Sequence, residues 1–334
     1  MKEITTVGLD LAKNVFQVHA VDPKGIVLVR RQVRRAQVLL FFSRLQPCLV
    51  GMEACAGAHY WARELAKLGH DVRLIPPSYV KPFVKRGKTD AADAEAICEA
   101  VTRPNMRFVP VKTERQQAVL MQHRARDFLV RQLTQLANAI RAHLGEFGIV
   151  VPKGVYNMGR LIAEAETADL PPEARMPLDL LAGQFRDTKQ RIDAMTGQLK
   201  ADAEKDKTAC RLQTVPGIGP ITASVLAATL PDVSSFRSAR DLPAWLGLTP
   251  KPHSSGGKEK LGSISKMGNR YIRRLLYLGA MGLISARKRS DPGTDWLGRL
   301  MAAKPLKVAA IALANRMARA IWAMLRTGEV WRPV

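Results

Sequence analysis

Cysteine is scarce in this 334-residue chain: Cys48, Cys55, Cys98 and Cys210 are the full set, and no two stand at CxxC spacing. That argues against a disulfide scaffold or a thiolate zinc site and leaves buried free thiols in a reducing compartment as the expectation. Long uninterrupted apolar runs are missing, and the opening MKEITTVGLD lacks the apolar core of a secretory signal. A cytoplasmic protein with no membrane role is expected. Aromatic residues make up only 6%. Trp245, Trp296 and Trp322 fall in helical patterns and are expected in the core rather than as base-stacking platforms. His59, His123 and His253 show no ligand spacing and are expected to be packed or solvated.

The shortage that says most is of negative charge. Twenty-nine Asp and Glu face 52 Lys and Arg, a formal net of +23. The excess is uneven: residues 1–112 hold 18 basic against 10 acidic side chains, 113–205 hold 13 against 12, and 206–334 hold 21 against 7. A near-neutral middle between basic ends points to a polyanion met at both ends. Nucleic acid fits better than a membrane surface, because no juxtamembrane or lipidation signal accompanies the charge. The hydrophobic share of 47% is that of an ordinary globular protein with room for two or three cores.

Periodicity divides the chain at the same places. In 1–112, TTVGLDLA, NVFQVHAVD and IVLVRRQVR read as an antiparallel strand meander, with DPKG as a turn. CLVGMEA and DVRLIPP follow as strands separated by the amphipathic helix GAHYWARELAKLG. A helix is expected from Asp90, and RFVPVK is a candidate to close the sheet. Meander first, then alternating elements, predicts a mixed α/β sheet covered by helices. Residues 113–148 carry apolar side chains at three- and four-residue steps, as does a weaker stretch near 177–208. These predict two long helices joined by a proline-broken linker with one short helix. A projecting coiled-coil dimerisation arm is expected, with a pair packed within the monomer as the alternative. Residues 206–334 predict a mostly helical domain with helices near 269–289 and 305–326. It opens on VPGIGPITASV, whose Gly217 and Gly219 resemble a helix-hairpin-helix turn able to offer amides to a phosphate.

Two sets of residues carry chemistry. Asp10 sits among apolar strand residues, Glu53 ends the fourth strand, and Asp90 and Asp93 lie three apart on one helix face. Each alone has a bland reading, as a helix cap for Asp90 or as an ion pair with Lys13 or Lys88 for Asp10 and Glu53. Together they could converge on one sheet edge and suit Mg2+ or Mn2+, which prefer hard oxygen ligands. The second set is HSSGGKEKLGSISKMGNRYIRR, residues 253–274, with Ser254 and Ser255 beside Gly256 and Gly257. Composition alone permits a solvated loop. It also permits a hydroxyl offered to a phosphate, with Lys258, Lys260, Lys266, Arg270, Arg273 and Arg274 to neutralise charge.

The segments VGLDLAKNVFQVHAVD, GMEACAGAHYWARELAKLGHDVRLIPPSYVKPFVKRGKTDAADAEAI and VPGIGPITASVLAATLPDVSSFRSARDLPAWLGLTPKPHSSGGKEKLGSISKMGNRYIRRLL resemble the DEDD transposases of bacterial insertion sequences, the IS-one-ten family related to Piv invertases. The resemblance spans nearly the whole chain and is least specific in the helical middle. It implies a RuvC-like, RNase-H-type N-terminal domain whose carboxylate quartet is Asp10, Glu53, Asp90 and Asp93. It also implies a C-terminal domain whose nucleophilic serine directly precedes a glycine, which makes Ser255 the match and Ser254 its neighbour. It further implies guidance by a structured bridge RNA, donor and target DNA as substrates, and a homo-oligomer, dimer to tetramer, whose active site joins two protomers. A nucleoid-associated bacterial enzyme follows. Two rivals are a metal-only junction nuclease, which leaves no protein–DNA adduct, and a non-catalytic nucleic-acid-binding protein, which survives loss of the acids.

Overall fold

A computed structural model describes residues 3–85, 87, 89–253, 256–257, 260–289 and 293–332. The chain forms two compact units, residues 1–116 and 117–334.

The first unit is built on a five-stranded sheet. Strands β1 (Thr6–Asp10), β2 (Val15–Val21) and β3 (Val27–Arg34) form the expected antiparallel meander. After α1 (Val38–Ser43), β4 (Leu49–Glu53) pairs parallel to β1; after α2 (Ala58–Lys67), β5 (Asp71–Ile75) pairs parallel to β4. The order across the sheet is β3-β2-β1-β4-β5. Two short turns of helix, including α3 (Pro77–Val80), lead to α4 (Asp90–Val101), and the unit ends within the first residues of a long helix. The expected closing strand RFVPVK contributes a single bridge, Val109 to Leu74, and does not form a strand.

Alternation along each strand sorts the side chains onto two faces. Val7, Leu9, Phe16 and Val18 are fully buried with Phe42 of α1 and Trp61 and Leu65 of α2. Phe16 and Trp61 meet edge to face at 5.0 Å. The other face belongs to α4, and two glycines set how closely it approaches. A Cβ on Gly8 would lie 2.1 Å from the Ala94 carbonyl oxygen, and one on Gly51 would lie 2.8 Å from Val101 Cβ. Helix backbone thus rests directly on strand backbone.

The second unit opens on the long helix α5 (Glu114–Gly145), followed by α6 (Met158–Thr167) and α7 (Pro172–Lys205). Leu133, Ile140 and Leu144 of α5 share one buried cluster with Leu161 of α6 and Phe185 and Ile192 of α7. The two long helices therefore bury their apolar stripes within the monomer, with the linker helix as a third partner. Helix α7 starts earlier than the pattern near 177 suggested and carries Pro177 in its second turn. Pro172 sits at the favoured first position, whereas Pro177, past the first turn, removes the bond its N–H would otherwise make to the Glu173 carbonyl.

The remainder comprises α8 (Lys207–Leu212), α9 (Pro220–Thr229), α10 (Asp241–Trp245), a two-stranded ribbon β6 (Pro250–Pro252) and β7 (Leu261–Ile264), then α11 (Arg270–Arg289), α12 (Trp296–Ala303) and α13 (Leu306–Thr327). Helix α13 has a mean hydropathy of 1.3 over its most apolar window, long enough by length and composition alone to cross a membrane. It buries Ala310, Leu313, Ala314, Met317, Ala318 and Ile321 in the common core and carries Arg316 and Arg319, as a core helix of this unit does. All four cysteines are free; Cys48 and Cys98 are buried as expected, whereas Cys55 and Cys210 are exposed. Trp245 and Trp296 are also more open than expected, at 40% and 37%.

Candidate active site

Each unit contains one group of residues with chemical potential. In the first, β1 and β4 run parallel and side by side, so their C-terminal ends share one edge of the sheet. Asp10 ends β1 and Glu53 ends β4. Both lie an even number of residues from the two glycines beneath α4, which places them on the α4 face. Thr89 caps α4 by accepting from the Ala92 amide, so Asp90 is freed from the capping role the sequence allowed it. Asp90, exposed, and Asp93, half-buried, then occupy the first turn of the helix near that strand edge.

The electrostatics report the convergence. Burial, followed by the charges of Asp93, Asp90 and Glu53, pushes the Asp10 carboxyl up to about 6. Negative charge is gathered here, and the donors are all hard carboxylate oxygens, the chemistry that suits a small divalent cation. Among the described residues, no three His, Cys, Asp or Glu side chains are gathered closely enough to hold a metal ion as they stand. Lys88, one of the alternative partners for these acids, lies outside the described residues.

In the second unit Gly256 and Gly257 fall between the strands of the β6–β7 ribbon, an element that sequence patterning missed. Strands of three and four residues leave too little alternation to read, and prolines stand at both ends of β6. His253 N donates to the Lys260 carbonyl at 2.8 Å, closing the ribbon below its tip. Gly256 and Gly257 take φ of +57° and +78°, which side-chain-bearing residues rarely adopt. Ser254, Ser255 and Lys258 lie outside the described residues.

The base of the ribbon is firmly tied. Ser265 N bonds the Thr249 carbonyl, Lys266 N bonds that of Gly247, and a Cβ on Gly268 would meet the Trp245 carbonyl oxygen at 1.8 Å. Arg273 donates to the carbonyls of Leu246 and Met267 at 2.8 and 2.7 Å, and Arg274 binds Asp127 of α5. These two arginines brace the ribbon and α11, while Lys260, Lys266 and Arg270 are exposed. A groove of about 1820 Å³ borders β7, lined by Ser263, Ile264, Lys266, Trp296 and Arg316 among others. Gly217, at φ +83°, turns the chain between α8 and α9 and packs on Gly279 of α11, whose added Cβ would lie 2.1 Å from the Gly217 oxygen. Gly219 stands exposed at the start of α9.

Behind α11, His123 of α5 is 1% exposed, with Nδ1 3.2 Å from the Tyr271 hydroxyl and Nε2 3.1 Å from Ser224 Oγ. Burial, and secondarily the Arg126 charge, lowers its pKa to about 4 from the ordinary 6.5. The unfolded chain therefore takes up this proton more readily than the folded one. Stability from His123 is complete above pH 6.5 and is lost as pH falls toward 4. Between pH 7 and 4.5 the wild-type protein is expected to lose about 2 to 3 kcal/mol more than His123→Gln. Urea titrations of both proteins at the two pH values measure this; equal losses would show that His123 is not buried neutral.

Residues 7–149 match the DEDD transposase domain of the IS110 type, and residues 209–292 match the family described as transposase IS116/IS110/IS902. A probable family 20 transposase of Pseudomonas aeruginosa is 47% identical over 99% of both chains. The transposase for insertion sequence element IS1328 of Yersinia enterocolitica is 42% identical, again over 99% of each. That for IS1111A of Coxiella burnetii is 39% identical over 99% of this chain and 92% of its own. Both units thus align with a transposase, a class of enzyme that acts on DNA. The chain belongs to the IS110/IS116/IS902 family of insertion-sequence transposases.

Proposed function

We propose that the protein cuts and rejoins donor and target DNA through a covalent phosphoserine, guided by a bridge-type RNA. The observation that carries the catalytic half is the placement of Asp10 and Glu53 at adjoining ends of two parallel strands beneath the turn bearing Asp90 and Asp93. The strand order β3-β2-β1-β4-β5, with its meander followed by parallel crossovers, supports an RNase-H-type, RuvC-like reading of the first unit.

Asp10, Glu53, Asp90 and Asp93 would hold Mg2+ or Mn2+. When bound, the cation would neutralise charge on the scissile phosphate and polarise the oxygens that attack and leave. Ser255 is the nucleophile. Its Oγ gives up a proton and bonds to phosphorus, the bond from phosphorus to the 3′ oxygen breaks, and that oxygen gains a proton. The products are a 5′-phosphoserine and a free 3′ hydroxyl. Attack by a 3′ hydroxyl on the phosphoserine reverses the balance and reseals DNA without ATP, because the phosphodiester energy is retained. Gly256 and Gly257 keep the tip narrow for close approach, and Lys258, Lys260, Lys266 and Arg270 offset phosphate charge while Arg273 and Arg274 brace the ribbon and α11. Gly217 and Gly219 give a second backbone contact at the start of α9. The acids of one protomer work with the serine of another in a dimer or tetramer.

Guidance by RNA has its own test. Purified protein is expected to recombine donor and target only when a transcript of the structured non-coding DNA flanking the reading frame is supplied. Full recombination from protein and DNA alone would remove the RNA from the proposal and leave the serine chemistry standing.

A further inference from the structure

The outer strand of the sheet and the residue after it carry four arginines that the proposed chemistry does not use. Strand β3 pairs only with β2, so one of its sides is open. Arg30, Arg31 and Arg34 lie on it and Arg35 follows directly, all exposed. Among the described residues none of the four forms an ion pair or a side-chain hydrogen bond. Glu95 is the carboxylate whose field reaches Arg30, and Lys85 already holds it at 2.6 Å.

Their register ties them to the acid edge. Asp10 stands opposite Gln17, and Gln17 stands opposite Gln32, so one row crosses three strands from the catalytic acid to the open side. At the usual spacing between strands that row is about 10 Å long. Arg34 lies two residues beyond Gln32 toward the end where Asp10 sits, and Arg30 two residues before it. Positions two apart on a strand are about 7 Å apart and share a face. Arg30 and Arg34 are therefore on the face of Asp10, about 12 Å from it along the backbone grid.

Arg31 and Arg35 point to the other face, where aromatic rings hold them. The Arg31 guanidinium lies 4.8 Å from the Phe41 ring centre, and that of Arg35 lies 5.1 Å from Trp61. Stacking fixes the plane of a guanidinium and leaves its N–H edge free, the arrangement suited to a phosphate oxygen. Charged residues on an edge strand also deter pairing with another strand. That role needs no stacking and no continuity with the acids, and lysine would fill it equally well. It does weigh against a second copy of β3 as the occupant, since like charges would face each other.

We infer that β3 is a track for a phosphodiester backbone, carrying nucleic acid across the open side of the sheet to the carboxylate edge. DNA and RNA share the chemistry it reads, a row of phosphates contacted without reference to base. The inference rests on the reading of the first unit as the site of strand cutting.

The test uses the full-length protein, a labelled duplex DNA and a labelled RNA hairpin of equal length, with binding measured by anisotropy across a salt series. Changing Arg30, Arg31, Arg34 and Arg35 together to Gln is expected to raise Kd roughly 10- to 100-fold at low salt. The slope of log affinity against log salt is expected to shrink by about 3 to 4 on the probe that uses the track, near 0.9 per arginine on duplex DNA. The same four positions as Lys keep most of the slope, and the pair Arg30→Gln with Arg34→Gln, which uncovers no aromatic ring, shows about half the loss. A loss on one probe alone names that nucleic acid as the occupant, and a loss on both names the shared backbone. Unchanged affinity and slope on both probes would overturn the track, as would a change in subunit assembly without a change in slope. Asp10→Asn separates the two readings: it is expected to stop cutting while binding at least as tightly as wild type. If Asp10→Asn still cuts, the reading of the acids fails whatever the arginines do.

Discussion

Replacing Asp10 with asparagine is expected to lower DNA cutting by about 10³-fold or more, the scale seen when a charge-stabilising group is removed from a transition state. Asn keeps the shape and removes the charge, so the loss reports on electrostatics rather than packing. The same change has the opposite effect on the fold. With the Asp10 carboxyl raised to about 6 from 3.8, its contribution to stability is fully present below pH 3.8 and is lost as pH rises through 6. At pH 7.5 the metal-free wild type therefore carries a penalty that Asp10→Asn escapes, up to about 2 kcal/mol after solvent screening. Thermal melts at pH 5 and 7.5, with and without Mg2+, read this out. Added Mg2+ should raise the melting temperature of the wild type at pH 7.5 and leave that of Asp10→Asn nearly unchanged. Cutting retained by Asp10→Asn and Asp93→Asn alike would reject the acids as the catalytic centre.

The second large effect belongs to the serine. Ser255→Ala removes the only atom that could bond to phosphorus in the proposed step, and strand transfer is expected to fall by roughly 10⁴-fold or more. Denaturing gels of protein incubated with end-labelled DNA should show a slow band for the wild type and for Ser254→Ala, and none for Ser255→Ala. The reverse pattern would move the nucleophile one residue. Adduct-free cutting by all three proteins would instead favour a water-activating nuclease. The two experiments are independent, because Asp10→Asn tests charge in the first unit and Ser255→Ala tests a covalent bond in the second.

Much of this was legible in one dimension. The meander shows in the period-two alternation of residues 6–34, and the long helices in the apolar steps of α5 and α7. The four acids could be singled out as candidates without coordinates because carboxylates at strand ends and helix starts stand out against apolar neighbours. Other features could not be read. That Gly8 and Gly51 lie beneath α4 depends on which residues cross them, a long-range fact absent from local pattern. Arg273 and Arg274 read as phosphate ligands because basic residues near a loop look alike in sequence; only the positions of the Leu246 and Met267 carbonyls and of Asp127 distinguish bracing from reaching out. The same is true of His123, whose two hydroxyl partners come from α9 and α11, about 100 and 150 residues downstream. The β6–β7 ribbon is held by tertiary bonds to residues 247–249, so its short strands leave no signature of their own.

The two missing methyl groups under α4 act as a ruler for the acid cluster. They let a helix settle onto the sheet by the width of a side chain, which brings the carboxylates at its tip down to those on the strands. A larger residue at either place would act as a shim, separating one pair of acids from the other without touching any of them. The spacing of the proposed reactive centre is thus written two strand residues below it, in positions that carry no functional group at all.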